Sequence, residues 1–175
     1  MIIILGMAGA GKSTQCRHLE AGGQFQWFSV GQHLREVETG AQKAEMAHGK
    51  VLDDALVTPI VRDELTRLGD TPEILLDGCP RTVGQAIWLA AATETPKVKR
   101  VIHLVISDGV AMERLLKRGR EDDSRDAMMH RFAGYHRDIQ PVLDEFRKMG
   151  IIVDDINAEK DEYEVLGQLK ELLGV

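Results

Sequence analysis

A glycine-rich run directly after an apolar N-terminal segment constrains this chain more than any other feature. Residues 1–5 read MIIIL, and residues 6–13 read GMAGAGKS, which satisfies the pattern GxxxxGK(S/T). Residues 12–21 have a composition compatible with a helix and end at two consecutive glycines. A buried strand, a glycine-rich loop and a helix in this order predict a site for a nucleoside triphosphate.

The residues of this loop suit phosphate because of their chemistry. Glycines let the backbone wrap closely, so that successive N–H groups point at phosphate oxygens, and the following helix adds the positive end of its dipole. Lys12 supplies a mobile cation for the β and γ phosphates, and the hydroxyl of Ser13, or of Thr14 beside it, can bind Mg²⁺. The predicted triphosphate-binding residues of the loop are Gly9, Ala10, Gly11, Lys12, Ser13 and Thr14.

The rest of the chain alternates short apolar runs with helical patterns. Further strands are predicted at residues 25–30, 73–76, 101–106 and 151–153. Apolar residues at helical spacing predict helices at residues 12–21, 54–68, 84–92, 110–118, 126–149 and 161–173, with a kink or a break at Pro141. This alternation predicts an α/β fold, a parallel sheet with helices on both faces.

Two stretches do not fit the alternation. Residues 31–58 are mostly polar and contain no predicted strand, and residues 119–125 read GREDDSR, a dense run of charge. We expect both to be peripheral insertions rather than parts of the core.

Asp77 follows the apolar run at residues 73–76 and precedes a glycine. Ligands of parallel α/β sheets bind at the carboxyl ends of the strands. A carboxylate at the end of a strand beside the first strand is well placed to hold Mg²⁺ through water. We therefore predict Ser13 and Asp77 as the magnesium residues, with an ordinary turn aspartate as the competing interpretation of Asp77.

Composition restricts the class of protein and its partners. The 175 residues suffice for one compact domain, and 43% hydrophobic with 29% charged residues is typical of a globular chain. A net charge of −6 argues against nucleic acid as the main partner. The apolar N-terminus is too short for a signal peptide or a membrane span, so we expect a cytoplasmic protein. Cys16 and Cys79 have no metal-type spacing, so we expect no zinc.

Five segments, in order, resemble motifs of the adenylate kinase family. They are FSVGQHLR at 28–35, GKVLDD at 49–54, DGCPRT at 77–82 with Gln85, RLLKR at 114–118, and REDD at 120–123 followed by Arg131 and Tyr135. The segments cover nearly the whole chain, and together they are far more specific than the phosphate loop alone.

The resemblance implies a P-loop fold of three layers with a five-stranded parallel sheet. It divides the chain into a core at residues 1–29, 60–117 and 132–175, a small helical flap for the nucleoside monophosphate at 30–59, and a short lid at 118–131. Only Gly119 separates Arg118 from Arg120, where longer relatives carry an inserted hairpin. The implied reaction transfers a phosphoryl group from ATP, with Mg²⁺, to AMP, and we expect a monomer.

The resemblance also assigns roles to individual residues. Arg35 and Arg81 hold the acceptor phosphate, Gln85 bonds the adenine edge, and Arg120 and Arg131 reach the transferring group. The implied catalytic residues are Lys12, Arg81, Arg120 and Arg131, and Arg114 and Arg118 join the ATP-binding set. The implied acceptor-binding residues are Val30, Arg35, Val51, Leu52, Val57, Gly78, Arg81 and Gln85. We expect four other arginines to lie on solvated helix faces, namely Arg17, Arg62, Arg67 and Arg147.

Departures from the family pattern leave more than one function open. Val30 stands where AMP-specific relatives usually have threonine, and Cys79 replaces a phenylalanine, which opens space beside the acceptor pocket. UMP or CMP is therefore a second candidate acceptor, although Gln85 favours AMP. A P-loop kinase of the shikimate kinase type, with a hydroxyl acceptor, and a non-catalytic nucleotide-binding module are two further candidate functions. The sequence leaves ATP and GTP open as donors.

Overall fold

The computed structural model describes residues 1–37, 52–120 and 124–175. The strands of this part of the chain are β1 (Ile2–Gly6), β2 (Phe25–Ser29), β3 (Glu73–Asp77), β4 (Arg100–Val105) and β5 (Ile152–Asn157). Its helices are α1 (Lys12–Glu20), α2 (Val30–Val37), α3 (Asp54–Leu68), α4 (Val83–Ala91), α5 (Asp108–Arg118), α6 (Arg125–Lys148) and α7 (Glu162–Leu173).

The five strands form one parallel sheet in the order β2-β3-β1-β4-β5. Strand β1 is central, with β3 on one side and β4 on the other. Ile4 of β1 is the register partner of Asp77 at the end of β3, so the phosphate loop and Asp77 leave the sheet side by side.

Successive residues of β1 point to opposite faces of the sheet, so both faces present apolar side chains. Helices cover both of these faces. Ile2 and Ile4 belong to one hydrophobic cluster, which includes residues of α1, α5 and α7. Ile3 and Leu5 belong to a second cluster, which includes residues of α2, α3 and α4. Helix α6 contributes its first half to the former and its second half to the latter. The predicted three-layer α/β fold is confirmed.

Several helix ends follow from local sequence. The side chains of Asp53, Thr82 and Ser124 each accept a hydrogen bond from a backbone N–H in the first turn of α3, α4 and α6. Asp161 and Glu164 form a reciprocal capping box at the start of α7. Gly119 ends α5 in the left-handed conformation.

Three predictions about this framework need correction. Of the predicted kink or break at Pro141, the break does not occur, because α6 runs continuously through that residue. Strand β5 extends to Asn157, beyond the predicted end at residue 153, because the pairing with β4 continues through polar residues. The described ends of the segment 31–58 are not peripheral, since Leu34, Leu52 and Val57 are buried in the core. No helix among the described residues has the length and apolarity needed to cross a membrane.

Candidate active site

A cavity of about 690 Å³ opens at the carboxyl ends of β1 and β3. Its described lining holds nine lysine and arginine residues and two carboxylates, although the whole chain carries a net charge of −6. The basic residues are Lys12, Arg17, Arg35, Arg81, Arg114, Arg118, Arg120, Arg131 and Lys160, and the carboxylates are those of Asp77 and Glu162. A concave surface of one sign concentrates ligands of the opposite sign. The cavity therefore suits a polyanion.

The phosphate loop forms the floor of the cavity with residues 8–14. Gly9 has a φ of +90°, and a Cβ placed there would lie 2.8 Å from the carbonyl oxygen of Ala111, so only glycine fits beside α5. The Lys12 ammonium donates hydrogen bonds to the carbonyls of Gly6 at 2.7 Å and Met7 at 3.0 Å. Burial lowers the Lys12 pKa, and Asp77 opposes the shift. Carbonyl groups at the start of the loop thus hold the Lys12 cation at the cavity.

Ser13 and Asp77 bring together the two predicted magnesium residues. The Ser13 hydroxyl donates a hydrogen bond of 2.7 Å to Oδ2 of Asp77. Asp77 is only 3% exposed, yet it lines the cavity together with Ser13. Hydroxyl and carboxylate oxygens are ligands that Mg²⁺ prefers.

Two arginines converge above Gly31 at the start of α2. A Cβ built on Gly31 would lie 3.6 Å from Nη1 of Arg35 and 3.8 Å from Nη2 of Arg81. Nε of Arg81 donates to the carbonyl of Gly78 at 3.0 Å, which fixes the side chain toward the cavity. Burial lowers the Arg81 pKa, and the charge of Arg131 adds to that effect. Two planar guanidinium groups in this arrangement can both donate hydrogen bonds to one phosphate.

Arg114 shapes the far wall of the cavity from helix α5. Its Nη1 donates to the carbonyl of Ala158 at 2.8 Å, and its Nη2 lies 3.4 Å and 3.5 Å from the carbonyls of Glu159 and Lys160. The residue predicted to bind ATP thus orders the loop after β5, which itself lines the cavity.

Gln85 is held inside the protein by a polar cluster. Its Oε1 accepts from the Arg81 backbone N–H at 2.8 Å, and its Nε2 donates to Oδ1 of Asp54 at 2.7 Å. Asp54 Oδ2 also accepts from the Thr82 hydroxyl at 2.6 Å. Gln85 is 2% exposed and is not among the described residues that line the cavity. Its bond to an adenine edge stays a prediction.

Cys79 lies next to this cluster, with its sulfur 3.5 Å from Oε1 of Gln85. The residue is 1% exposed, and burial raises the pKa of its thiol to about 12. The side chain fills space as a neutral thiol rather than acting as a nucleophile.

The predicted site residues separate into three groups. The described cavity lining includes Gly9, Ala10, Gly11, Lys12, Ser13, Thr14, Arg35, Asp77, Gly78, Arg81, Arg114, Arg118, Arg120 and Arg131. Buried residues outside that lining are Val30, Leu52, Val57 and Gln85. Val51 lies outside the described residues.

Sequence reasoning missed several lining residues. Arg17, expected on a solvated face, lines the cavity with its guanidinium 5.5 Å from the Trp27 ring centre. Lys160 and Glu162 also line it, and their only signal in the sequence is their position after the last predicted strand. Tyr135 appeared in a family motif without a role, and it too contacts the cavity.

Comparison with known proteins agrees with this geometry. The family model described as adenylate kinase matches residues 4–151. An adenylate kinase of Prochlorococcus marinus (strain MIT 9303) is 35% identical over 160 residues, which cover 86% of each chain. One of Parasynechococcus marenigrum (strain WH8102) is 35% identical over 180 residues, covering 98% of this chain and 97% of its own. One of Rhodopirellula baltica is 36% identical over 183 residues, covering 98% and 94%.

The resemblance drawn from the motifs is thereby confirmed, and with it the class of enzyme, a phosphotransferase that acts on a phosphate acceptor. With a match that runs from β1 to just beyond the end of α6, and with relatives that cover nearly its whole length, the chain belongs to the adenylate kinase family.

Proposed function

We propose that the chain transfers the γ-phosphoryl group of ATP to AMP and forms two molecules of ADP. The observation that carries this proposal is that Lys12 and the cavity arginines line one space. The phosphate loop with Lys12 contributes one group of cations to it, and Arg35 with Arg81, which converge at Gly31, contributes another. A volume of about 690 Å³ falls within the range of small-molecule sites.

This reaction does not need a strong general base. The acceptor oxygen of a monophosphate is already anionic, so catalysis consists of alignment and stabilisation of charge on the transferring group. Lys12 and the loop N–H groups hold the donor phosphates, and Arg81 with Arg35 holds the acceptor phosphate. Arg120 and Arg131 stabilise the equatorial oxygens of the transferring group.

The donor set fits Mg²⁺ bound with ATP. Ser13 and Asp77 offer one hydroxyl and one carboxylate, and Mg²⁺ commonly uses one or two carboxylates together with water and substrate phosphates. When bound, the ion would neutralise charge on the β and γ phosphates. Asp77 would hold it through water, and Ser13 would orient Asp77 or bind the ion directly.

A pyrimidine monophosphate is the second candidate acceptor. Gln85 is 2% exposed and bonded to Arg81 and Asp54, and Val30 is also 2% exposed, so neither belongs to the described cavity lining in this arrangement. AMP stays first because the chain belongs to the adenylate kinase family. The division into core, flap and short lid, a cytoplasmic location and a monomeric state stay predictions.

A coupled assay of ADP formation with ATP and each of AMP, UMP, CMP and shikimate tests the proposal. We expect the highest kcat/KM with AMP. Faster turnover with UMP or CMP would show that a pyrimidine monophosphate, and not AMP, is the preferred acceptor. Turnover with shikimate alone would contradict a phosphate acceptor, and binding of ATP and AMP without ADP formation would indicate a non-catalytic module.

A further inference from the structure

His103 is a polar side chain between apolar residues of β4. It occupies the fourth position of β4, RVIHLV, and is 8% exposed. Its Nδ1 lies 2.6 Å from Oδ1 of Asp155 on β5, and its Nε2 lies 2.5 Å from the hydroxyl of Tyr135 on α6. Both ring nitrogens are engaged, so His103 joins the outer strand of the sheet to a helix that packs over it.

The partners fix the direction of each hydrogen bond. A carboxylate only accepts, so Nδ1 of a neutral His103 carries the proton and donates to Asp155. Nε2 is then an acceptor, and the Tyr135 O–H donates to it. The lone pairs of the tyrosine oxygen are left to face other donors. The tautomer that Asp155 selects therefore decides how the Tyr135 hydroxyl is oriented.

Tyr135 extends this chain to the phosphate loop. Burial raises the pKa of Tyr135 to about 12, and the charge of Asp155 adds to that shift. Tyr135 packs against the apolar cluster that contains Met7 of the phosphate loop, and Tyr135 itself lines the cavity. The carbonyl of Met7 accepts a hydrogen bond from the Lys12 ammonium at 3.0 Å.

We propose that His103 is a positioning residue for the donor side of the active site. Together with Asp155 it orients the Tyr135 hydroxyl, and Tyr135 in turn supports the phosphate loop by packing against the cluster that contains Met7. We call Asp155, His103 and Tyr135 the relay. Arg147 is a further charged group that faces it, at 3.7 Å from Oδ2 of Asp155. The relay rests on the proposed function only in that the ligand of the loop is ATP.

Calorimetric titration with ATP alone, and separately with AMP alone, tests the relay without turnover. We expect His103→Leu and Tyr135→Phe each to weaken ATP binding about fivefold, the value of one hydrogen bond, and to leave AMP binding unchanged. Because His103 acts through Tyr135, the double variant should also lose about fivefold rather than the product of both losses. His103→Gln, whose carbonyl can accept from Tyr135, should retain most of the affinity.

Arg137→Gln is the matched control. Arg137 lies on the same helix as Tyr135 and pairs with Asp138 at 2.6 Å, but its side chain is 73% exposed. We expect wild-type affinity for both nucleotides. Multiplicative losses in the double variant, equal losses for ATP and AMP, or wild-type ATP binding by Tyr135→Phe would each overturn the relay. Should His103→Leu fail to fold, His103→Gln and Tyr135→Phe still carry the comparison.

A second measurement needs neither ATP nor a variant. Nitrogen-15 spectra of histidine-labelled protein near neutral pH report which ring nitrogen carries the proton. For His103 we expect protonated Nδ1 and unprotonated Nε2. A protonated Nε2 would overturn the relay. If wild-type protein bound no ATP, the proposed function would fail, whereas this spectrum would still decide the relay.

Discussion

The hydroxyl of Ser13 donates a 2.7 Å hydrogen bond to the carboxylate of Asp77, which joins the phosphate loop after β1 to the end of β3. This bond spans neighbouring strands, and it places the two candidate magnesium ligands in contact. Asp77→Asn keeps the shape of the side chain but removes its charge. We expect kcat to fall about 100-fold, as for loss of a preorganised charged group. We also expect the Mg²⁺ concentration that gives half of the maximal rate to rise.

A magnesium titration at fixed ATP and AMP measures both effects. Ser13→Ala should cost less because Thr14 retains a hydroxyl beside it. Asp63→Asn, on the surface of α3 with its side chain 71% exposed, is the control and should behave as wild type. An unchanged magnesium requirement in Asp77→Asn would remove Asp77 from the metal site.

Arginine replacements test the cationic cavity. We expect Arg81→Ala and Arg131→Ala to lower kcat at least about 100-fold, because each removes a fixed charge near the transferring group. Folding should be retained, since both side chains face the cavity rather than the apolar clusters. Steady-state rates and thermal unfolding of the same samples separate the two effects.

Arg67→Ala is the matched control for these variants. Arg67 lies on α3 with its side chain 67% exposed and pairs with Glu64 at 2.6 Å. Exposed pairs of this kind contribute little to stability, so we expect near-normal rates and stability. Near-normal turnover in Arg81→Ala or Arg131→Ala would exclude that residue from the site.

Asp54 links the start of α3 to the acceptor side of the cavity. Asp54→Ala leaves the Gln85 amide and the Thr82 hydroxyl without their partner. An unsatisfied buried donor costs about 1–3 kcal/mol, so we expect a loss of that size in urea unfolding. We also expect a higher KM for AMP, with the KM for ATP unchanged.

Asp53→Ala is the comparison because Asp53 only caps the same helix. Loss of such a cap costs about 1 kcal/mol, and we expect no change in either KM. If both variants raised the KM for AMP equally, the effect would come from the helix end and not from the Gln85 cluster.

Glu73 gives the fold a pH dependence away from the site. Partial burial alone would raise its pKa, but hydrogen bonds from Lys99 and from the N-terminal ammonium hold the pKa below its usual 4.5. A depressed carboxyl pKa stabilises the fold above pH 4.5, and this contribution disappears as the pH falls through the folded-state pKa.

Glu73→Gln should therefore lose up to about 1 kcal/mol of unfolding free energy at pH 7, and the difference from wild type should be smaller at about pH 3. Denaturant unfolding at both pH values measures the difference. A destabilisation of equal size at both pH values would point to packing rather than to charge.

The sequence predicted the fold well wherever local patterns decide structure. The apolar run before Gly6 became β1, and the period of residues 54–68 gave α3 with those bounds. Pro141 did not mark a helix end, because the effect of a proline depends on the packing of the whole helix. Helix α6 continues past it, with Val142, Leu143 and Phe146 buried.

The site was predictable in its types of residue but not in its contacts. The arginines could be chosen from motifs, whereas the bond between Gln85 and Asp54 joins residues 31 positions apart. His103 had one signal, a histidine within an apolar run. Its partners come from β5 and α6, and only the folded chain brings them together.

The most direct test of the whole arrangement is a crystal structure with a dinucleotide pentaphosphate, which joins two adenosines through their phosphates. We expect the linker to lie between the phosphate loop and Gly31, within hydrogen-bond distance of Lys12, Arg35 and Arg81. A linker that lies outside this cavity, or that contacts none of these three cations, would contradict the proposed transfer between two nucleotides.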